Sequence, residues 1–298
     1  MIKKAVSYIG IFFLYLLSLM PFWFLYLISD LLYLLVYHVA GYRRKVVQQN
    51  LQNAFPEKGA DERKRIERKF YHHFCDLVVE TVKTISISPA QLAKRVKPTN
   101  PDVVKKLLDS DRKLVGVAGH YCNWELLAQG ITSITRKNFL IIYKPLTNKV
   151  FDRFFINTRS RFRGIPVAMK LVLRKMVELK NEPFITVLLG DQTPVRHEST
   201  YFTTFLNQPT PVFLGLEKMA KSFDCLVYFC DMRKVKRGYY NYTVVPLIEN
   251  AKESAPYEIT KAHVQYLEKV IREEPEYWLW SHRRWKFKPE DIEGAIVD

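Results

Sequence analysis

A histidine and a glutamate stand five positions apart in the segment GHYCNWELL, which runs from Gly119 to Leu127 directly after the apolar run LVGVA. A histidine can remove a proton from a hydroxyl when a carboxylate accepts a hydrogen bond from its second ring nitrogen and fixes its tautomer. Residues five apart in one helix point about 140° away from each other, so His120 must lie in a turn before the helix to meet Glu125. The segment predicts a general base, His120, with Glu125 as the partner that orients it.

The same spacing also has a purely structural interpretation. His120 can cap a turn, and Glu125 can be an acidic residue in the first turn of the helix, where its negative charge interacts favourably with the helix dipole. The pattern H-x-x-x-x-E occurs by chance, so the spacing alone leaves both interpretations open.

The elements around this segment indicate the fold. From residue 114 onward, short apolar runs alternate with helical patterns: LVGVA, FLIIY at 139–143 and FITVLLG at 184–190, with helices expected from about 123, 148 and 212. The runs CLVYFCDM and YNYTVVPLI are closely spaced and are expected to pair antiparallel. Amphipathic helices are predicted over 61–86 and 256–274. This order predicts an α/β fold with a mixed, largely parallel sheet flanked by helices, and it places His120 at the sheet edge where such folds bind ligands.

Polar and charged side chains follow the other predicted strands. Lys144 comes after FLIIY, and Asp191 and Gln192 come after FITVLLG. The segment FDRFFINTRSRFRG carries four arginines before Gly164, which would suit phosphate groups but equally form a solvated helix face. In the tail YWLWSHRRWKF, tryptophans flank Arg283 and Arg284. These aromatic and basic side chains form either part of the core and its rim or a lid over an anionic head group.

The net charge limits the classes of partner that the protein can bind, and the cysteine content limits the kinds of site that it can form. Lysine and arginine number 46 against 30 aspartates and glutamates, a net charge of +16 that favours an anionic partner: nucleic acid, phospholipid or an acidic protein or substrate. The four cysteines lack a C-x-x-C pair, so they indicate reduced thiols and neither a disulfide framework nor a zinc site. His72 and His73 are adjacent on a predicted helix and point about 100° apart, which disfavours a shared metal.

The N-terminus indicates a membrane. No charge occurs from Ala5 to Ser29, and the apolar character resumes after Asp30. Pro21 divides this stretch into two pieces, each short for a full span, so a hairpin or an in-plane helix pair competes with one tilted span. Basic residues flank both ends, which favours two cytoplasmic ends. We expect a hydrophobic membrane anchor at 1–45 and an α/β domain at 46–298.

Five motifs in this order, GHYCNWE, YKPLTN, TRSRFRG, LLGDQTP and PEYWLWSHRRWKF, resemble those of the late acyltransferases of lipid A biosynthesis, within the wider glycerol-phosphate acyltransferase-like group. The resemblance spans the chain from the anchor to about Phe287. It implies His120 and Glu125 as the catalytic pair. The implied substrate-binding residues are Asn123, Lys144, Arg159, Arg161, Asp191, Gln192, Arg283 and Arg284. Two departures stand out: Lys144 replaces an arginine and loses its planar fork, and Cys122 replaces a glycine, with a side chain that needs room near the thioester.

The function that the resemblance implies is transfer of a fatty acyl chain from an acyl thioester on acyl carrier protein, an acidic partner, to a hydroxyl of an anionic glycolipid precursor. It implies no metal or organic cofactor and a site on the cytoplasmic side of the bacterial inner membrane. Two alternatives stay open at this point: an acyltransferase with another acceptor, such as a lysophospholipid, an aminolipid or a different glycolipid, and a non-enzymatic basic membrane protein. Nucleic acid is disfavoured because no binding motif is recognised.

Overall fold

The structure, a computed structural model, describes residues 2–298, with side chains from Lys4 onward. The helices in chain order are α1 (Ile2–Leu19), α2 (Phe22–Tyr33), α3 (Arg44–Ala54), α4 (Ala60–Lys83), α5 (Pro89–Arg95), α6 (Pro101–Asp109), α7 (Trp124–Ile134), α8 (Lys149–Ser160), α9 (Val172–Glu178), α10 (Gly215–Ser222) and α11 (Glu258–Glu273). The strands are β1 (Val96–Pro98), β2 (Leu114–Ala118), β3 (Asn138–Tyr143), β4 (Gly164–Ala168), β5 (Phe184–Leu189), β6 (Tyr201–Phe205), β7 (Gln208–Pro211), β8 (Leu226–Lys236), β9 (Tyr239–Ile248) and β10 (Ile296–Val297).

The main sheet has seven strands in the order β1-β9-β8-β2-β5-β3-β4. The strands β8, β2, β5, β3 and β4 run parallel, β9 is antiparallel to β8, and β1 pairs parallel with β9. A small second sheet has the order β10-β6-β7. The predicted α/β fold with a largely parallel sheet is confirmed, and so is the antiparallel pairing of the last two apolar runs.

The central strand β2 is buried along its whole length, as expected for a parallel strand covered by helices on both faces. Its only residue without a side chain, Gly116, lies under the ring of Tyr228, and a Cβ there would come within 2.8 Å of that ring. This close packing fixes β8 against β2. The carboxyl ends of β2 and β5 are in register, with Ala118 opposite Leu189, so the residues that follow both strands emerge side by side.

The apolar N-terminus folds as two helices that pack on α4. Helix α1 ends at Leu19 and α2 begins at Phe22 after Pro21, so the predicted division at Pro21 is confirmed. A π-helical turn, Leu34–Val39, continues α2. Within the described residues, the segment Phe22–Val39 is the one helix long and apolar enough to cross a membrane, by length and composition, and only 28% of it is buried in the protein. The division into an anchor of 1–45 and a domain of 46–298 stays a prediction.

Buried polar contacts join these N-terminal helices to α4. The Lys83 ammonium donates to two carbonyl oxygens at the end of α1, at 2.8 and 2.9 Å. Ser29 of α2 donates its hydroxyl to Asp76 at 2.8 Å, and Tyr26 donates to Glu80 at 2.9 Å. An unpaired group in such positions would be costly, so these bonds fix how α1 and α2 sit on α4.

Candidate active site

The turn between β2 and α7 holds His120 in a defined position. The α7 helix begins after Asn123, whose side-chain oxygen accepts a hydrogen bond from the backbone N–H of Leu126 at 2.9 Å and so caps the helix. The C-terminal segment pairs with the turn from the other side: Leu279 N–H donates to the carbonyl of His120 at 3.1 Å, and Cys122 N–H donates to Tyr277 at 3.0 Å. The turn therefore has hydrogen bonds on both flanks and is rigidly placed.

His120 is bound to Asp191, which follows the neighbouring strand β5. The His120 Nδ1 lies 2.7 Å from one carboxylate oxygen of Asp191, and the His120 backbone N–H donates to the other oxygen, also at 2.7 Å. The indole N–H of Trp278 donates to that second oxygen at 2.8 Å. Three donors thus converge on one buried carboxylate, which fixes the plane of the imidazole and places the ring proton on Nδ1.

Gly119, the residue before His120, is closely packed. A Cβ on Gly119 would lie 2.6 Å from Leu267 and 3.3 Å from the Asp191 carboxylate. A larger residue there would require the Leu267 side chain to move and would crowd the Asp191 carboxylate.

The pKa of Asp191 is low although the carboxyl is buried. Burial by itself raises the pKa, but the charge of His120 and the hydrogen bonds from His120 and Trp278 outweigh it and lower the pKa to about 2. Asp191 is therefore ionised at neutral pH, and it can stabilise an imidazolium when His120 gains a proton.

The other imidazole nitrogen faces the open side of the site. The side chain of His120 is 15% exposed, its Nε2 lies 3.1 Å from the amide nitrogen of the exposed Gln192, and the edge of the ring meets Trp124 at a centroid distance of 4.9 Å. With the proton on Nδ1, Nε2 accepts a hydrogen bond from the Gln192 amide, and a hydroxyl that displaced this exposed side chain could donate its proton to Nε2 instead. A histidine held in this way has the geometry of a general base.

Glu125 makes a different contact from the one expected. Its carboxylate accepts a hydrogen bond from the Arg159 guanidinium at 3.1 Å, and both side chains are about a quarter exposed, 24% and 26%. The predicted hydrogen bond from His120 to Glu125 is therefore wrong, because Asp191 takes the place of that acceptor. The physical reason is the strand order, since β5 lies directly beside β2. The catalytic role of Glu125 stays a prediction.

The other predicted site residues divide into exposed and enclosed groups. Lys144, Gln192 and Arg283 are exposed. Arg284 is only 2% exposed and donates to the carbonyl of Pro211 at 2.7 Å, so it does not face a substrate directly.

Two further predicted residues hold the protein together in this structure. Arg161 donates to the carbonyls of Thr84 and Ile87 at 2.5 and 2.9 Å and ties the end of α8 to the end of α4. Asn123 is fully buried, and its amide donates to Glu80 at 2.6 Å. Asn123 has no surface to offer a substrate in this conformation, whereas Arg161 is exposed and its predicted substrate contact stays a prediction.

Cys122 does not occupy the space beside His120. Its backbone has φ of 51°, the left-handed conformation that glycine adopts without strain, and its side chain is fully buried. Burial raises the pKa of this thiol well above its ordinary value, so it is an unreactive thiol. The expected demand for room near the thioester is wrong, because the side chain points into the core.

Comparison with known proteins identifies the family. The family model described as bacterial lipid A biosynthesis acyltransferase matches residues 1–287. The chain belongs to this family. It is 23% identical over 275 residues to a lipid A biosynthesis acyltransferase of Haemophilus influenzae, covering 92% of this chain and 85% of the relative. It is 24% identical over 254 residues to the lipid A biosynthesis lauroyltransferase of Escherichia coli, covering 84% and 81%. It is 22% identical over 253 residues to the palmitoleoyltransferase of the same organism, covering 83% and 80%.

The sequence did not reveal all residues that build the site of this family member. The sequence indicates Trp278 only as one of several tryptophans near arginines, yet its indole N–H donates to Asp191. Glu80 gave no signal, because it reads as one charge on an amphipathic helix. It is fully buried and accepts hydrogen bonds from Tyr26, Asn123 and Tyr240, and burial raises its pKa. Contacts between distant segments of this kind have no local pattern.

Buried histidines behind the site should make this acyltransferase family member sensitive to acid. Burial lowers the pKa of His73 and of His263 to about 4, and His73 Nδ1 has no hydrogen-bond partner among the described residues. An unfolded histidine has a pKa of about 6.5, so between these values the unfolded chain binds protons that the folded chain does not. The free energy of unfolding should fall by about 1 kcal/mol per pH unit for each histidine as the pH drops from about 6.5 to 4.

Urea unfolding in detergent at several pH values between 7 and 5 measures this effect. In the His73→Gln variant the free energy of unfolding should depend less steeply on pH, because one titrating group is removed. The fold should be kept, because Gln can still donate to the Cys122 carbonyl that His73 contacts at 3.2 Å. The exposed His197→Gln variant is the matched control and should follow the parent protein. A free energy of unfolding that stays constant over this range would contradict the prediction.

Proposed function

We propose that this protein transfers a fatty acyl chain from an acyl thioester, carried by acyl carrier protein, to a hydroxyl of an anionic lipid A precursor, with His120 as general base. The observation that carries the proposal is the His120–Asp191 contact at 2.7 Å, which leaves Nε2 of the partly exposed imidazole as the proton acceptor. An ionised carboxylate is costly to bury, and a buried imidazole–carboxylate pair at the carboxyl edge of a parallel sheet favours a catalytic role over an inert scaffold.

The reaction follows from this arrangement. Nε2 of His120 takes the proton of the acceptor hydroxyl, and the resulting alkoxide attacks the thioester carbonyl. The tetrahedral oxyanion would lie near the N-terminal end of α7, where the helix dipole favours negative charge. Its collapse breaks the carbon–sulfur bond, and the thiolate leaves with the proton from the imidazolium. Asp191 stabilises the imidazolium between the two proton transfers. The step needs no metal or organic cofactor.

Positive charge near the site supports anionic substrates and partners. Lys144 and Arg283 are exposed, and Arg159 is held by Glu125 at the same edge. Such cations suit phosphate groups on the acceptor. On α4 an exposed basic stripe, Lys64, Arg65, Arg68 and Lys69, repeats at helical spacing and suits an acidic carrier protein. Nucleic acid is not proposed as a partner.

The N-terminal helices support a membrane location. Large apolar side chains on α1 and α2 are exposed to solvent in the isolated chain, among them Val6, Ile9, Phe12, Phe13, Trp23, Leu27 and Leu31. Contiguous exposed apolar surfaces of this kind mark membrane contacts in proteins that act on lipids. We place the protein at the bacterial inner membrane, with the site on the cytoplasmic side.

Lipid analysis of a deletion strain tests this function. Loss of one acyl chain from lipid A in the mass spectrum is expected, together with its return when the parent gene is supplied and not when His120→Ala is supplied at equal protein level. If lipid A is unchanged and a phospholipid, aminolipid or other glycolipid is altered, the acceptor is that other lipid and the proposed acyl transfer still stands. An unchanged lipid profile in every class, or rescue by the His120→Ala variant, would contradict the enzymatic proposal.

Glu125 is expected to act through Arg159. Glu125→Gln keeps an oxygen that accepts the Arg159 hydrogen bond, whereas Glu125→Ala removes it, so kcat/KM should fall more in the alanine variant. We expect a loss of about ten- to a hundredfold for alanine, the range for a lost hydrogen bond to a charged group. The double variant Glu125→Ala/Arg159→Ala should lose little more than either single variant, since the two act as a pair. Additive losses would show that Glu125 acts independently of Arg159.

A further inference from the structure

We propose that an exposed apolar stripe on α9 and the turn before it is a second contact with an anionic lipid surface, separate from the N-terminal helices. The inference rests on the proposed function only in placing a lipid acceptor at the site. Met169, Leu173 and Val177 recur at every fourth position, and they are 57%, 59% and 51% exposed. Leu173 and Val177 lie on one face of α9 because they are four residues apart, and Met169 extends the exposed apolar surface into the 3-10 turn that precedes the helix.

The opposite face of the same segment is anchored in the core. Val172, Met176 and Leu179 are buried there. The stripe is therefore a fixed part of the folded domain. Single exposed apolar residues are usual on a protein surface. Several large apolar side chains exposed next to one another on an ordered element indicate a contact with a partner.

Positive charges lie next to this stripe. Lys170 and Arg174 are exposed, each one residue after an apolar member, and Leu171, 53% exposed, extends the apolar surface at the start of α9. The acidic residue of the helix, Glu178, is paired with Arg174 and Lys175 at 3.4 and 3.1 Å. Apolar side chains flanked by cations match the boundary between acyl chains and anionic head groups. This combination of apolar and cationic side chains favours a lipid surface over a protein partner.

The topology places the stripe at the catalytic edge. The strands β3 and β4 are paired up to Tyr143 and Ala168, so Met169 leaves the sheet beside the segment that contains the exposed Leu146. From β2 to β4 there are three strand spacings, about 14 Å in all. The apolar stripe thus begins at the same edge as His120 and close enough to set how the site meets the bilayer.

This contact would hold the opening of the site at the membrane surface. An acceptor hydroxyl near the head groups could then reach His120 while its acyl chains stay in the bilayer. The N-terminal helices alone would tether the domain without fixing which edge faces the lipid.

Depth-dependent fluorescence quenching tests the contact directly. The four native cysteines are buried, so one introduced surface cysteine can be labelled selectively. Leu173→Cys, labelled with an environment-sensitive dye in the full-length protein, should be quenched by doxyl-labelled lipid in phosphatidylglycerol vesicles. Lys252→Cys is the matched control, because Lys252 is exposed and follows β9 at the opposite edge of the sheet. Quenching at neither position, or equally at both, would overturn the proposal.

An activity assay in two formats separates this contact from the chemistry. The variant Met169→Ser/Leu173→Ser/Val177→Ser should lose about tenfold in transfer to an acceptor embedded in vesicles, because apolar burial is removed. Its activity toward the same acceptor dispersed in detergent should match the parent protein. Equal losses in both formats, or no loss in vesicles, would overturn the proposal. Failure of the parent protein to transfer in either format would count against the proposed function and leave the quenching result to judge the contact.

Discussion

The His120→Ala variant is expected to transfer acyl chains at least about a hundredfold more slowly than the parent protein, the lower range for losing a general base. The imidazole is partly exposed, with one nitrogen hydrogen-bonded to Asp191 and the other to the exposed amide of Gln192, which a substrate hydroxyl could displace. Gln192 is an amide and Glu125 is paired with Arg159, so neither of these two side chains can take over as the base. The measurement is single-turnover transfer from an acyl thioester to the purified acceptor.

The control is a histidine on the surface. His197→Ala, exposed and outside the site, should keep parent activity. Both variants should unfold at a similar urea concentration, which shows that the loss is chemical. A folded His120→Ala protein with near-normal turnover would rule out the base mechanism.

Asp191→Asn is expected to lower the rate by roughly 10²- to 10⁴-fold, as replacing the orienting carboxylate does in hydrolases that rely on a histidine base. The amide keeps the size of the side chain but loses its charge, so it cannot stabilise the imidazolium. It also offers an N–H to Nδ1, which favours the tautomer that blocks Nε2. The loss should appear in kcat and be much smaller in KM.

Trp278→Phe gives a graded comparison. It removes one of the three donors to the Asp191 carboxylate and leaves the charge in place. We expect a loss of about tenfold, the lower end of the range for one hydrogen bond to a charged group. If Asp191→Asn proved no slower than Trp278→Phe, the carboxylate would be a structural anchor of the turn and not a partner of the base.

The sequence predicted the main strands and helices because their signals are local. Apolar runs bounded by polar residues gave β2, β3 and β5, and the cap residues Asn123 and Asn148 marked the starts of α7 and α8. Strand β4 was missed because Pro166 interrupts its pattern, which an edge strand tolerates. The β6–β7 hairpin was missed because its turn uses Leu206 and Asn207, both with positive φ, without the usual glycine.

The site was predicted in composition but not in pairing. His120 and Asp191 were both placed at the carboxyl edge, since parallel strands end on the same side. Which carboxylate meets the histidine depends on the strand order, and β5 lies between β2 and β3 although it follows both in the chain. Strand order is a property of the whole fold. The sequence therefore favoured Glu125, the nearer carboxylate along the chain.

The bonds between α4 and the first two helices have a practical consequence for anyone shortening this protein. A version that starts after residue 45 would leave Lys83 without its two carbonyl acceptors, and Glu80 and Asp76 would each lose a hydroxyl donor. Because Glu80 also binds Asn123, the damage would reach the start of the helix that follows His120. Truncation to improve solubility would thus impair the enzyme itself, and detergent or nanodisc preparations of the intact chain are the better material for kinetics.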